Sequence, residues 1–421
     1  MISENPYIDV IAICLVVLVS YFLGILSKRT NIPSVLMLIV LGVIIQYVLK
    51  YMEIPVSGNL PDMLQLLGII GLIMIVLEAA LDLKLTREKK PLIIKSFFIA
   101  LLALFGSSLA LGWIINYYII DDFFTSWVYA VPLSIMSSAI IIPSVGKLVE
   151  SKKEFMIYES TFSDILGIML FYFLIEDSSE KEAFEIVADI TLNIVITIVL
   201  SVVVSYLLVL LFQRIEDKAK LFLLISVLIM LYAVGKLFHL SSLVVILVFG
   251  LILNNYQIFF RGRIKNWIRK EVLSDITEEL HVVTLETAFV VRTFFFVVFG
   301  MTLDLQSLLD VKTALISLCI VAALYLVRYL CLKGFGMKNI LPELFIAPRG
   351  LITVLLFFAI PVSYQQDQFS SGILLYSILF TGIIMTTVMI LKSNETEYIA
   401  ELNFENWEDL DKEVKKVTKE H

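Results

Sequence analysis

Long apolar blocks, each closed by a short polar connection, repeat along the chain from about residue 8 to residue 391. At about 1.5 Å per residue, most of them are long enough to cross a hydrocarbon layer about 30 Å thick as tilted helices. The pattern predicts about thirteen spans: 8–27, 33–50, 62–83, 91–115, 126–148, 154–175, 186–212, 219–238, 241–255, 281–303, 311–332, 341–361 and 370–391. The ninth is short, as a broken or tilted helix would be. The expected fold class is an all-α polytopic membrane protein, with a transmembrane domain over 1–391 and a short cytoplasmic tail over 392–421.

The polar connections alternate in charge. One set holds Lys28 and Arg29; Lys84, Arg87, Lys89 and Lys90; Lys147, Lys152 and Lys153; Arg214, Lys218 and Lys220; Arg261, Arg263, Lys265, Arg269 and Lys270; and Lys333 and Lys338. The other set, which includes IIDDFF and IEDSSEKEAFE, is nearly free of bases. Basic connections stay in the cytoplasm, so the amino terminus is expected outside and the carboxyl terminus inside, with an odd number of spans. Residues 258–280 are basic, aromatic and amphipathic and predict a linker helix on the cytoplasmic membrane surface between two halves. A site for a regulatory lipid or protein is the alternative there.

Composition adds little beyond this. The chain is 59% hydrophobic and 17% charged, against about 25% charged in soluble domains, and its mean hydropathy is +0.94. No stretch is long enough for a second, soluble domain. The opening MISENPYID carries acids and no base, which favours a retained first helix over a signal peptide. Cys14, Cys319 and Cys331 lack paired spacing, and only three His are present. Neither a disulfide framework nor a thiolate or imidazole metal site is expected. Nor is a cofactor, a nucleic-acid partner or an enzymatic activity.

Charges inside the spans carry the candidate chemistry. YESTFSDILGIMLFYFL (Tyr158–Leu174) holds Glu159 and Asp164. A carboxylate near a bilayer centre costs a few kcal/mol at least and marks a functional site by default. Counted from Glu154, Glu159 lies about 7–8 Å deep and Asp164 about 15 Å deep. Arg328 in LYLVRYL falls at the depth of Glu159, Arg292 in FVVRTFFFV near mid-membrane, and Arg349 in APRGLIT part-way down. An acid and a base at equal depth offset each other's desolvation, so Glu159–Arg328 is the expected structural ion pair. Arg keeps its proton, so such a pair would not titrate. Direct participation of Glu159 in transport is the alternative. Asp164, facing a water-filled cavity, can bind either a proton or a cation. Locked by Arg292 it would be inert.

Two spans are interrupted. VPLSIMSSAIIIPSVGK carries Ser134, Ser137, Ser138 and Pro143, and LFIAPRGLITVLLFFAIP carries Pro348, Arg349, Gly350 and Thr353. Pro frees a backbone carbonyl one turn back, which lipid tolerates only where protein or a wet cavity satisfies it. Interrupted spans at matched places in two halves point to a transporter's binding site. Ordinary Pro kinks are the bland alternative.

At these residues the chain resembles a known family. ESTFSD (Glu159–Asp164) resembles the Glu-Ser-x-x-Asn-Asp signature of the sodium/proton exchanger branch of the monovalent cation:proton antiporter superfamily. LIMIVLEAALDLKL (Leu72–Leu85) resembles its acidic third helix, and residues 231–255 its helix pair with a Gly-Leu-x-x-x-Asn cap. FFFVVFGMTLDL resembles a segment of the sister branch, and APRGLITVLL the Arg-Gly helix. The resemblance implies two inverted repeats with crossing broken helices, a dimerisation domain, a moving core and a homodimer in the lipid bilayer, with the plasma (inner) membrane expected. It implies that Asp164 carries cation and proton and that Glu159 pairs with Arg328. The chain departs from the pattern in three places. Ser163 replaces the Asn before Asp164, Ser137-Ser138-Ala139 replaces Thr-Asp-Pro, and Arg292 sits close to where the sister branch can place a Lys.

The expected function is antiport. Asp164 binds Na+, with Li+ or K+ as alternatives, using oxygens of Ser163, Ser137 or Ser138 and freed carbonyls, while protons compete for the same oxygens. Hard oxygen ligands suit a hard cation. One exchangeable carboxylate favours electroneutral exchange, with Arg292 and Arg349 as modulating charges. A cation channel or a Na+-coupled organic-anion symporter on a related fold is the competing class. An intramembrane protease would need a second acid from Glu159, Glu78, Asp82 or Glu286, and no Gly-x-Gly-Asp segment surrounds Asp164.

Overall fold

The computed structural model describes residues 6–30, 34–52, 60–86, 88–176, 199–215, 220–237, 242–261, 264, 267–303, 310–337, 339–366 and 368–391. The tail over 392–421 and the first part of the span expected over 186–212 lie outside them. In chain order the helices are α1 (Pro6–Thr30), α2 (Ser34–Tyr51), α3 (Leu60–Asp82), α4 (Lys90–Tyr118), α5 (Phe123–Ser134), α6 (Ser138–Ser144), α7 (Glu150–Glu176) and α8 (Val199–Phe212). They continue with α9 (Lys220–Leu237), α10 (Ser242–Asn254), α11 (Tyr256–Phe259), α12 (Lys270–Thr302), α13 (Val311–Gly334), α14 (Leu351–Phe358) and α15 (Gly372–Leu391). Among the described residues there is no strand, and 8 helical stretches are long and apolar enough to cross a membrane, one of them, Phe123–Ile142, running through both α5 and α6. Backbone groups in lipid must be satisfied within the segment, which is why such apolar blocks become helices.

The helices sort into two bundles. In the first, α2 and α3 pack on α12, α10 packs on α3 and α9, and α1 lies against α2 and α12. In the second, α4 packs on α5, α7 and α13, and α7 also holds α5 and α6. The bundles meet where α14 lies against α3 and α7 against α10. Small residues let the first bundle close up, as expected where lipid supplies no hydrophobic drive between helices. A Cβ on Gly42 would lie 2.1 Å from the Val297 carbonyl oxygen, and one on Gly300 would lie 2.3 Å from that of Ile39. Backbone cannot step aside as a side chain can. Gly300→Ala is therefore expected to destabilise by about 3 kcal/mol, the upper end for overpacking. The check is the thermal midpoint of purified protein in detergent, and an unchanged midpoint would refute this packing.

The stretch 258–280, expected as a linker helix, is shared between two helices where it is described: α11 ends at Phe259, and residues from Lys270 onward are the first turns of α12. The cause is an apolar face that continues into the span, with Leu273, Ile276, Leu280, Thr284, Ala288 and Val291 buried at helical spacing.

Local chemistry sets the start of α5. The Asp122 side chain caps it by accepting the Thr125 N–H at 2.7 Å. Hydrogen bonds from the Thr125 side chain and backbone hold the Asp122 carboxyl below its ordinary range. Its stabilisation is thus present above the ordinary Asp range near 4 and is lost as pH falls through the lowered folded value. Asp122→Ala should cost about 1 kcal/mol at neutral pH. The gap in melting temperature from wild type should close on strong acidification, which a pH series of melts would read.

Both interrupted spans are broken. Non-helical residues 135–137, extended at Ile135 and Ser137, separate α5 from α6, and non-helical residues 346–350 precede α14, so little of the span expected over 341–361 is helical. Pro143 lies inside α6, past the break, whereas Pro132 occupies the last turn of α5 just before it.

Candidate functional site

The two non-helical stretches meet in direct contact. The Ser137 N–H donates to the Pro348 carbonyl at 3.0 Å. A Cβ on Gly350 would sit 2.6 Å from Ser137 Oγ, so only glycine allows this approach. Arg349 is 3% exposed; its Nε donates to the Leu133 carbonyl and its Nη1 to the Ala347 carbonyl, each at 2.7 Å, while its N–H donates to Thr381 Oγ1 at 3.0 Å. A guanidinium thereby serves an orphan carbonyl in the last turn of α5, the negative end of that half-helix.

Against this contact lies the middle of α7. Met136 N–H donates to Ser163 Oγ at 3.0 Å, and Ser138 N–H donates to Asp164 Oδ2 at 3.1 Å. Donors on either side of Ser137 thus hold consecutive α7 side chains. Asp164 is 3% exposed. Its Oδ1 is buried without a hydrogen-bond partner among the described residues, and so is Ser137 Oγ. Orphaned buried oxygens are rare because each forfeits its solvation. No Arg or Lys among the described residues pairs with Asp164. A small cavity of about 10 Å³ lies alongside, lined by Ser107, Ser134, Ser163, Arg328 and Arg349 among others, and it reaches Ser163 but not Asp164.

Glu159, one and a half turns back on α7, faces elsewhere. Arg328 on α13 grips it in a fork, Nη1 to Oε1 at 2.7 Å and Nη2 to Oε2 at 2.9 Å, both residues buried. Arg328 also donates from Nε and Nη2 to the Glu343 carbonyl, at 3.1 and 2.9 Å. Its second Nη1 hydrogen points to Met136 Sδ at 2.9 Å, so all five N–H donors are engaged, leaving none for Asp164.

Arg292 is not where it could lock Asp164. Its Nη2 lies 3.1 Å from Glu78 Oε2 on α3, inside the first bundle. One turn further along α3, Asp82 Oδ1 meets His281 Nε2 at 2.8 Å. The sequence marks Glu78 and Asp82 as acids on an acidic helix and as candidate second acids of a protease, and their spacing of four residues is the available sign of a shared face. Thr381 went unrecognised, because nothing in an apolar span marks one hydroxyl as the partner of a distant N–H.

Residues 15–392 match the family described as sodium/hydrogen exchanger, transmembrane. The chain belongs to the sodium/hydrogen exchanger family. It is accordingly an integral membrane protein of a cation/proton antiporter family, not of an enzyme class. Among solved structures, this exchanger is similar to the sodium proton antiporter MjNhaP1 from Methanocaldococcus jannaschii at pH 8, with TM-score 0.67, 18% identity, and coverage of 93% of this chain and 100% of that one. An electron-microscopy structure of the same antiporter gives TM-score 0.66 at 17% identity, covering 93% of this chain and 96% of the other. At such identity the likeness establishes the fold. No curated protein matches the exchanger's sequence.

Proposed function

We propose that this exchanger trades Na+ for H+ one for one at Asp164. The observation that carries the reading is the buried Asp164 carboxylate with one oxygen held by Ser138 and the other unpartnered beside the broken-helix contact. That oxygen needs a proton or a cation, and either one excludes the other. Ser137 Oγ, also unpartnered, and Ser163 Oγ supply further hard oxygens, together with carbonyls freed at the breaks. Ser137-Ser138-Ala139 adds no carboxylate, Glu159 is neutralised by Arg328, and Arg292 is engaged by Glu78. One exchangeable charge therefore remains, which supports electroneutral exchange.

Alternating access follows from the two bundles. The second, carrying the broken-helix contact and Asp164, moves against the first, which close Gly42–Gly300 packing makes stiff. The first bundle is the surface that would form a homodimer. The basic connections support an amino terminus outside and a carboxyl terminus in the cytoplasm.

The test is pH-gradient-driven flux in proteoliposomes, comparing Na+, Li+ and K+ with and without a potassium clamp of the membrane potential. Saturable proton movement with Na+, unaltered by the clamp, is expected. A clamp-dependent rate would overturn electroneutrality, and steady current without counter-transport would favour a channel.

A further inference from the structure

The connection from α3 to α4 joins the two bundles covalently, and its residues 83–85 are held from both sides. Asn255, at the end of α10 in the first bundle, donates from Nδ2 to the Leu83 carbonyl at 2.8 Å and accepts the Leu85 N–H on Oδ1 at 2.6 Å. Its amide thus pairs with alternate residues of the linker as a neighbouring strand would. Asn254 adds a bond from Nδ2 to the Leu81 carbonyl at 2.5 Å. The carbonyl between, that of Lys84, is taken from the opposite side by the Tyr158 hydroxyl of α7 at 2.8 Å. Tyr158 is buried and immediately precedes Glu159 on the helix that carries Asp164. Another polar tie joins α7 to the first bundle, Tyr172 with Tyr232 of α9, but it runs between helices and does not reach the linker.

These contacts give the linker two attachments of different kinds. The Asn255 clamp makes two bonds within the first bundle, where a Cβ on Gly250 would lie 2.6 Å from that of Ala80 and so fixes α10 tightly on α3. The Tyr158 attachment is a single bond across the boundary between bundles. A movement of α7 can break it while the clamp stays closed.

We propose that Leu83–Leu85 is the pivot of the exchange movement, clamped to the first bundle by Asn255 and latched to the second by Tyr158. Tyr158 is then a positioning residue: it sets the balance between the two orientations of the site without touching the cation. This rests on the alternating-access reading above. Tyr158→Phe removes the hydroxyl and keeps the ring. The lost bond should shift the conformational balance by about fivefold, the worth of one net hydrogen bond.

The test has two arms, both on the full chain. In proteoliposomes of defined orientation, Tyr158→Phe should change the ratio of half-saturating Na+ at the two faces by about fivefold. A uniform loss of rate with that ratio unchanged would make Tyr158 merely structural and overturn the proposal. In hydrogen exchange read by mass spectrometry, Asn255→Ala should expose the amides of residues 83–86 more than Tyr158→Phe does. Equal protection in wild type and both variants would overturn the pivot. The second arm needs no transport, so it tests the pivot even if exchange itself were not found.

Discussion

Asp164→Asn is expected to abolish pH-gradient-driven cation flux in proteoliposomes, with at least a hundredfold loss against wild type, about 2.7 kcal/mol or more in the transport barrier. The substitution is close to isosteric, so contacts with Ser138 and the packing of α7 on the broken helices should survive. What it removes is the ionisable oxygen. An amide neither takes up a proton near neutral pH nor offers a cation a formal charge, so neither half of the cycle can be loaded. A thermal midpoint close to that of wild type would show that loss of flux is not loss of fold. Flux at the wild-type rate would reject the assignment of Asp164. Ser163→Ala should do less, because Ser163 Oγ already accepts the Met136 N–H and contributes one neutral oxygen at most.

The second large effect concerns stability. Removing either Arg328 or Glu159 leaves an uncompensated charge in a fully buried place, which costs about 3–5 kcal/mol. Glu159→Ala should be as damaging as Arg328→Ala, although Arg328 also serves the Glu343 carbonyl. Most natural proteins hold only about 5–15 kcal/mol in reserve, so either single variant should give little folded, monodisperse protein. Replacing both by apolar residues of similar volume should recover much of the yield, because no lone charge remains. The double-variant cycle reads this directly. Additive losses would mean that the pair does not act as a unit.

How much of this was legible from the residues depends on which coordinate is asked for. Depth along a span follows from the rise per residue, and it matched Glu159 with Arg328, which the structure brings together at 2.7 Å. Azimuth is not given by depth. Counting residues puts Arg292 and Asp164 at one expected level, yet Arg292 turns to Glu78 on a different helix. Ser and Pro in one span and Pro-Arg-Gly in the other point to the two interrupted spans, but Pro143 does not mark the point of interruption. The non-helical residues 135–137 follow Pro132, and the other stretch's carbonyl at Pro348 satisfies the chain there. The length of α12 was missed because its basic, amphipathic start resembles a surface helix, while its buried stripe continues unbroken into the membrane. The clamp on residues 83–85 was invisible because side-chain bonds to linker backbone leave no periodic trace.

Exchange at Asp164 requires one carboxyl group to hold a proton or a cation but never both, and proton release on cation binding measures that without transport. Purified protein in weakly buffered detergent solution, titrated with Na+ near neutral pH, should release protons saturably, approaching one per Na+ bound, and Asp164→Asn should release none. Cation binding without proton release, or release that persists in Asp164→Asn, would contradict it.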